Sequence, residues 1–144
     1  MERRYAADVT PDAAWKTLTS EPGAALIDVR TIAEWSYVGL PDLSAIDAPL
    51  LRVEWQTFPT GEVNAEFVGA VGDALKAEGS ERDAPIFFIC RSGARSAAAA
   101  AAMTAAGYSR CYNVAGGFEG RRDEQGHRGT VDGWKAADLP WAQS

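Results

Sequence analysis

Cys90 is followed directly by Arg91, Ser92, Gly93, Ala94, Arg95 and Ser96. A thiol placed among these residues can do nucleophilic chemistry. The thiolate is the reactive form of cysteine, and both charges in this short loop are positive. A lone cysteine at the end of a strand is more often a small buried hydrophobe. The flanking sequence argues against that reading here. Four apolar residues, "IFFI", lead into Cys90, and "SAAAAAAM" follows the loop. This is a strand, a turn and a helix. Backbone N–H groups in such a turn can converge on one point, and the helix adds about half a positive charge at its N-terminus. Both would stabilise an anion on Cys90 Sγ. The activation requires no histidine; His127 is the only one and lies far along the chain. Of the remaining loop residues, Arg91 and Arg95 can attract an anion. Ser92 and Ser96 can each hydrogen-bond the sulfur, though Ser96 is expected chiefly as the helix cap. Cys111 starts a different strand without a basic loop and is expected to be a buried structural thiol.

The rest of the chain must position that loop. "VTPDAAWKTLTS" has Thr10 as an N-cap with Pro11 at the first helical position. "AALIDVR" is a short apolar run and reads as a buried strand. Thr31 and Glu34 have capping-box spacing for a short helix over residues 32–37. "LSAIDAPL" is expected to be a short strand ended by Pro49, and "WQTFPTGEV" a loop. Residues 64–78 carry Phe67, Val68, Val71, Ala74 and Leu75 at helical spacing, with Gly79 as a stop. "APIFFIC" is the clearest strand, and residues 96–106 form the clearest helix, closed by Gly107. Its small alanines suit close packing on a sheet. "RCYNV" is a last strand ended by Gly116 and Gly117.

Helices and strands therefore alternate. That order predicts a parallel sheet covered on both faces. Ligand sites in such sheets lie beyond the carboxyl ends of the strands. Arg30, Cys90 and the segment after Val114 should then meet at one end. Composition sets outer limits. The chain has 144 residues, 47% of them apolar, and a formal charge of −6. It suits one domain with one core, and argues against broad binding to nucleic acid or anionic membranes. "MERRYAADVT" lacks the apolar stretch of a secretory or twin-arginine signal, and residues 97–106 are too short and alanine-rich for a membrane span. Two cysteines make no disulfide framework, so a reducing cytoplasm is the simplest location.

"CRSGARS" resembles the active-site loop of the rhodanese-like sulfurtransferases, written Cys-x-x-Gly-x-Arg-Ser/Thr. Three further places agree in order and spacing. "LIDVR" with Glu34 is similar to the family's Asp-Val-Arg strand and following Glu. "GLPDLSAIDAPL" stands where the family has Gly-His-Ile-Pro-Gly-Ala and a strand ending in Pro-Leu. "YNVAGGF" is similar to its Asn-Val-x-Gly-Gly. Leu40 and Asp42 replace the usual His and second Gly, and a tryptophan often found shortly after the Gly-Gly pair is missing.

The resemblance implies an α/β rhodanese-like fold. Its core would be a doubly wound, mostly parallel central sheet of about five strands with helices on both faces. Residues 1–120 would form the domain, and residues 121–144 an extension packing on it. The implied activity is a double displacement without metal or organic cofactor. Cys90 is the nucleophile. Arg91, Ser92, Gly93, Ala94, Arg95 and Ser96 bind the transferred sulfur and its donor. Asp28, Arg30 and Glu34 support the loop, with Arg95 braced against Asp28 or Glu34. The donor would be a thiosulfate-like anion, and the acceptor cyanide, a thiol or a protein cysteine. Two other functions are weighed. One is a carrier or binding module that passes sulfur to a partner protein; inactive relatives commonly lack the cysteine, which is present here. The other is a phosphatase or arsenate reductase of the same fold. Those enzymes use a longer loop, whereas only Arg91, Ser92, Gly93 and Ala94 separate Cys90 from Arg95. Finally, "EGRRDEQGHRG" should emerge beside the Cys90 loop. It is expected either to form part of the mouth or to be a solvated loop whose arginines pair with Glu119, Asp123 and Glu124.

Overall fold

Apolar runs bounded by charge and glycine, as in "ALID" and "IFFI", are too short for buried helices and too apolar for edge strands. They form the centre of a parallel sheet. The computed structural model of the protein describes residues 4–57 and 60–143; Glu2 and Arg3 of the basic start, Phe58 and Pro59 of the predicted loop, and Ser144 lie outside them. The five parallel strands are β1 (Ala7–Val9), β2 (Ala25–Asp28), β4 (Leu50–Arg52), β5 (Ile86–Ile89) and β6 (Cys111–Val114). Their order across the sheet is β1-β6-β5-β2-β4. The doubly wound α/β architecture expected from the alternation is the one observed.

Alternation along the strands builds two cores. Ala25, Ile27, Ile86, Phe88, Cys90 and Cys111 point to one face. There they meet Phe67, Val71 and Leu75 of α3 (Phe67–Ala77) and Ala99, Ala100 and Met103 of α4 (Ala94–Ala105). Leu26, Phe87, Ile89 and Val114 point to the other, against Ala14 and Leu18 of α1 (Pro11–Ser20) and against Phe118 and Trp134. Each large side chain buried in this way contributes about 1.5–3 kcal/mol. Val68, expected on the core face of α3, is exposed.

Local chemistry sets the ends. Thr10 caps α1 by accepting from Ala13 N, with Pro11 at the first position. The Thr31–Glu34 capping box closes α2 (Ile32–Tyr37) at the predicted boundaries. The strand predicted before Pro49 is not there. Asp42 Oδ1 accepts from Ser44 N at 2.9 Å, and Ile46 N donates to Leu43 O, so the chain turns instead. Pro49 has no N–H to give, but its carbonyl accepts from Leu26 N at 3.1 Å, and β4 starts just after it. Strand β1 was unforeseen; three half-polar residues carry too little pattern.

The C-terminal segment returns to the domain. The short helix α5 (Gly133–Ala136) places Trp134 in the second core, edge-on to Trp15 at 5.9 Å. Trp134 Nε1 donates to Pro140 O at 2.7 Å. The last strand, β7 (Trp141–Ala142), pairs antiparallel with β3 (Leu40–Pro41). Neither strand nor the short helix was read from the sequence. Among the described residues, no helix is long and apolar enough to cross a membrane.

Candidate active site

Strands β2 and β5 are neighbours, and connections leave them in opposite directions across the sheet. The crevice beyond their carboxyl ends is where such a fold binds ligands. Cys90 stands there, one residue past β5. The loop then reverses at Gly93, whose φ of +121° no larger residue adopts without strain. The reversal turns Gly93 N back to donate to Cys90 Sγ at 3.1 Å. Helix α4 begins at Ala94, with Gly93 as its N-cap, so its N-terminus faces the sulfur. Only 1% of Cys90 is exposed.

The helix therefore starts two residues earlier than the sequence suggested, and this changes the role of Ser96. It is not the cap. It lies inside the first turn, fully buried, with Oγ 3.2 Å from Cys90 Sγ. The same oxygen is 3.2 Å from Gly93 O and 2.6 Å from Asn113 Oδ1.

Two ion pairs stand behind the loop. Arg95 binds Glu34 in two-pronged fashion, at 2.6 and 3.0 Å, so the brace is Glu34 and not Asp28. Burial alone would raise the Glu34 carboxyl. The hydrogen bonds and charge of Arg95, with the Thr31 amide and the charge of Arg30, outweigh it and hold Glu34 below the usual carboxylate range. Asp28 is taken by Arg30, with Nε at 3.0 Å from Oδ1 and Nη2 at 2.7 Å from Oδ2. Arg30 is fully buried. It also donates to Gly39 O at 2.7 Å and lies 4.3 Å over the Phe118 ring. It ties β2 to the β3 turn and to the segment after β6. Arg91 and Ser92 are exposed, and among the described residues the Arg91 guanidinium has no hydrogen-bond or ion-pair partner.

A clamp missed by the sequence reading holds the loop from the other side. Phe118 N donates to Cys90 O at 2.7 Å, and the Glu119 and Gly120 amides donate to Arg91 O at 3.0 and 3.1 Å. Gly117 makes the approach possible. A Cβ there would lie 2.5 Å from Cys90 O and 2.6 Å from Arg91 O. The Gly-Gly pair after a strand was the available signal.

The sequence profile described as the rhodanese-like domain matches residues 10–124. The chain belongs to the rhodanese-like domain family. An uncharacterised protein of Rickettsia rickettsii is 39% identical over 128 residues, which are 89% of this chain and 90% of that one. The crystal structure of Rv0390 from M. tuberculosis is 45% identical with a TM-score of 0.85, covering 97% of this chain and 99% of that chain. The solution structure of the polysulfide-sulfur transferase homodimer of Wolinella succinogenes shares the fold. Its TM-score is 0.61 and its identity 22%, covering 98% of this chain and 80% of that one.

Within this rhodanese-like frame, the structure gathers Cys90 with residues 91–96, and places Glu34 against Arg95. Asp28 and Arg30 form a separate buried pair at the end of β2. The segment at residues 121–130 is organised by Asp123, which accepts from Gln125 N, His127 N and Thr130 Oγ1. Arg128 donates to Gly120 O at 2.6 Å. Arg121 Nε is 3.7 Å from Asp132, and not paired with Glu119, Asp123 or Glu124.

Proposed function

We propose that the protein is a sulfurtransferase that carries a sulfane sulfur as a persulfide on Cys90. The observation that carries this reading is the position of Cys90 Sγ. It takes the Gly93 amide at the N-terminus of α4, beside Arg91 and with Arg95 already neutralised by Glu34. Such an arrangement favours one additional anionic atom on the sulfur.

In the first half-reaction the Cys90 thiolate attacks the outer sulfur of thiosulfate. A new S–S bond forms, the bond to the sulfonate sulfur breaks, and sulfite leaves with its electron pair. The terminal sulfur then carries the negative charge. In the second half-reaction cyanide or a thiolate attacks that sulfur, and Cys90 departs as thiolate. Four loop residues between Cys90 and Arg95, closed so that the sulfur is almost wholly covered, suit a single atom better than a tetrahedral oxyanion. The donor is a small sulfur-bearing anion, and the acceptor is a thiophile; neither a nucleic acid nor a membrane is part of this reading.

Intact mass spectrometry tests it. Thiosulfate should add one sulfur atom to the protein, and cyanide should remove it as thiocyanate. A protein whose mass does not change under excess thiosulfate sinks the proposal.

A further inference from the structure

Ser96 has one hydroxyl proton and three acceptors in reach: Asn113 Oδ1, Gly93 O and Cys90 Sγ. The distances rank them. Asn113 Oδ1 is at 2.6 Å and the other two at 3.2 Å. What lies behind Asn113 decides the matter. Residues Asp8 and Asn113 are register partners on β1 and β6, and Asn113 Nδ2 donates to Asp8 Oδ1 at 3.0 Å. An ionised carboxylate only accepts, so the amide nitrogen must face Asp8 and the amide oxygen must face Ser96. Tyr5 fixes the same carboxylate oxygen from 2.6 Å. The hydroxyl proton is thereby directed to Asn113, and Ser96 turns a lone pair to the sulfur.

We propose that Asn113, oriented by Asp8, is a positioning residue that withholds the Ser96 hydroxyl proton from Cys90 Sγ. This rests on the sulfurtransferase reading for its purpose, but not for its geometry. A thiol can donate to the Ser96 oxygen, whereas a thiolate must rely on Gly93 N and the helix N-terminus. A thiolate that receives one hydrogen bond fewer is a stronger nucleophile once formed. Removing the Asn113 acceptor frees the hydroxyl to turn and donate to the sulfur, which favours the charged form and blunts it.

The experiment reads the pH dependence of Cys90 alkylation by iodoacetamide, with Cys90→Ser as the blank. Buried Cys111 is pushed up to about 11 by desolvation and stays silent. The other charges packed around Cys90 and its partners are Arg91 in its loop, Arg95 on α4 with Glu34 on α2, Asp28 with Arg30 after β2, and Asp8 on β1 behind Asn113; none is altered. In Asn113→Ala the midpoint should move about one unit lower, and the limiting rate at high pH should fall about threefold. In Ser96→Ala, adding Asn113→Ala should change neither. Asn113→Leu fills much the same space without an acceptor, should give a shift of the same sign, and serves if Asn113→Ala does not fold. An unchanged midpoint in the folded variants, or an equal shift in the Ser96→Ala background, overturns the proposal. Persulfide formation from thiosulfate by the unaltered protein is measured alongside. Its absence would remove the sulfurtransferase reading while leaving the alkylation result to judge Asn113.

Discussion

Cys90 and Cys111 stand on adjacent parallel strands, 1% and 0% exposed, and pack into the same hydrophobic cluster. They differ in which end of the strand they occupy. Cys90 follows the carboxyl end of β5, where α4 begins and Gly93 N turns toward its sulfur. Cys111 opens β6 at the amino end of the sheet, just after α4 has finished. Its thiol lies 3.5 Å from a carbonyl, Tyr108 O. Burial drives the Cys111 thiol up to about 11, and the Thr104 side chain offsets this only in part. In a parallel sheet every crossover helix starts at the carboxyl edge and ends at the amino edge. The two equally buried thiols therefore lie at opposite ends of the crossover helix, Cys90 at its positive N-terminus and Cys111 beyond its C-terminus.

The largest expected effect breaks that comparison outright. Cys90→Ser should lower persulfide formation from thiosulfate at least about 10³-fold while leaving the protein folded. Cys111→Ala should keep turnover within about twofold at matched folded fraction and cost about 1–2 kcal/mol of stability. Thiocyanate formation and urea unfolding measure the two. A Cys111→Ala protein that forms the persulfide but cannot release it would make Cys111 a participant.

Next in size is the backbone clamp that Cys90 has and Cys111 lacks. Gly117→Ala places a Cβ against Cys90 O and Arg91 O at a φ of +65°. We expect a loss of at least about 2 kcal/mol and a disproportionate fall in persulfide formation by the remaining folded protein. Gly126→Ala is the control. Its φ is +79°, but nothing lies within 4 Å of the added methyl. If both variants lose stability equally and neither loses rate, the clamp does not shape the loop.

These contrasts were unevenly legible in the sequence. "IFFIC" and the alanine run that follows fixed the strand, the helix and their junction, because apolar pattern and propensity agreed. The boundaries of α2 were readable because a capping box is a local device. The start of α4 was not, since Gly93 takes a left-handed conformation and draws Ala94 and Arg95 into the helix. This moved Ser96 from a cap to the sulfur. Asn113 stands in the "YNVAGGF" motif, but its importance depends on the register that sets it opposite Asp8, 105 positions away, and register is not written locally. The pairing of β3 with β7 escaped for the same reason: each contributes two residues, too few to show a period.

A third test concerns the brace. Glu34→Gln retains shape but removes the charge that holds Arg95. We expect about a three- to tenfold lower rate of persulfide formation and a loss of about 1 kcal/mol, since the pair is partly exposed. The sign with pH follows from the lowered Glu34 carboxyl. Its contribution is complete above the ordinary glutamate value of about 4.3 and is lost as pH falls through the lower, folded value. Unfolding followed between pH 6 and 3 should show the gap between the two proteins closing toward acid. A gap that widens would mean the pair does not stabilise the fold.

The smallest effect concerns charge at the mouth. Arg91 is exposed in the Cys90 loop itself, without a partner among the described residues. In the segment after the clamp, Arg121 is 74% exposed and only loosely near Asp132, while Arg128 is spent on Gly120 O. Asp123 and Glu124 dilute the patch further. Arg91→Gln should therefore lower kcat/KM for thiosulfate by about three- to tenfold at low salt, and combined Gln substitution of Arg121, Arg122 and Arg128 by about twofold. Both deficits should shrink as salt rises, because exposed charges are screened over about 10 Å at 0.1 M. The comparison sharpens if the Arg91 variant shows the steeper salt dependence. If the triple substitution changes neither the value nor its slope with salt, residues 121–128 are a solvated loop outside the mouth. The assignment of Cys90 does not depend on that outcome, because the amide that faces its sulfur, Gly93 N, belongs to the loop at the start of α4.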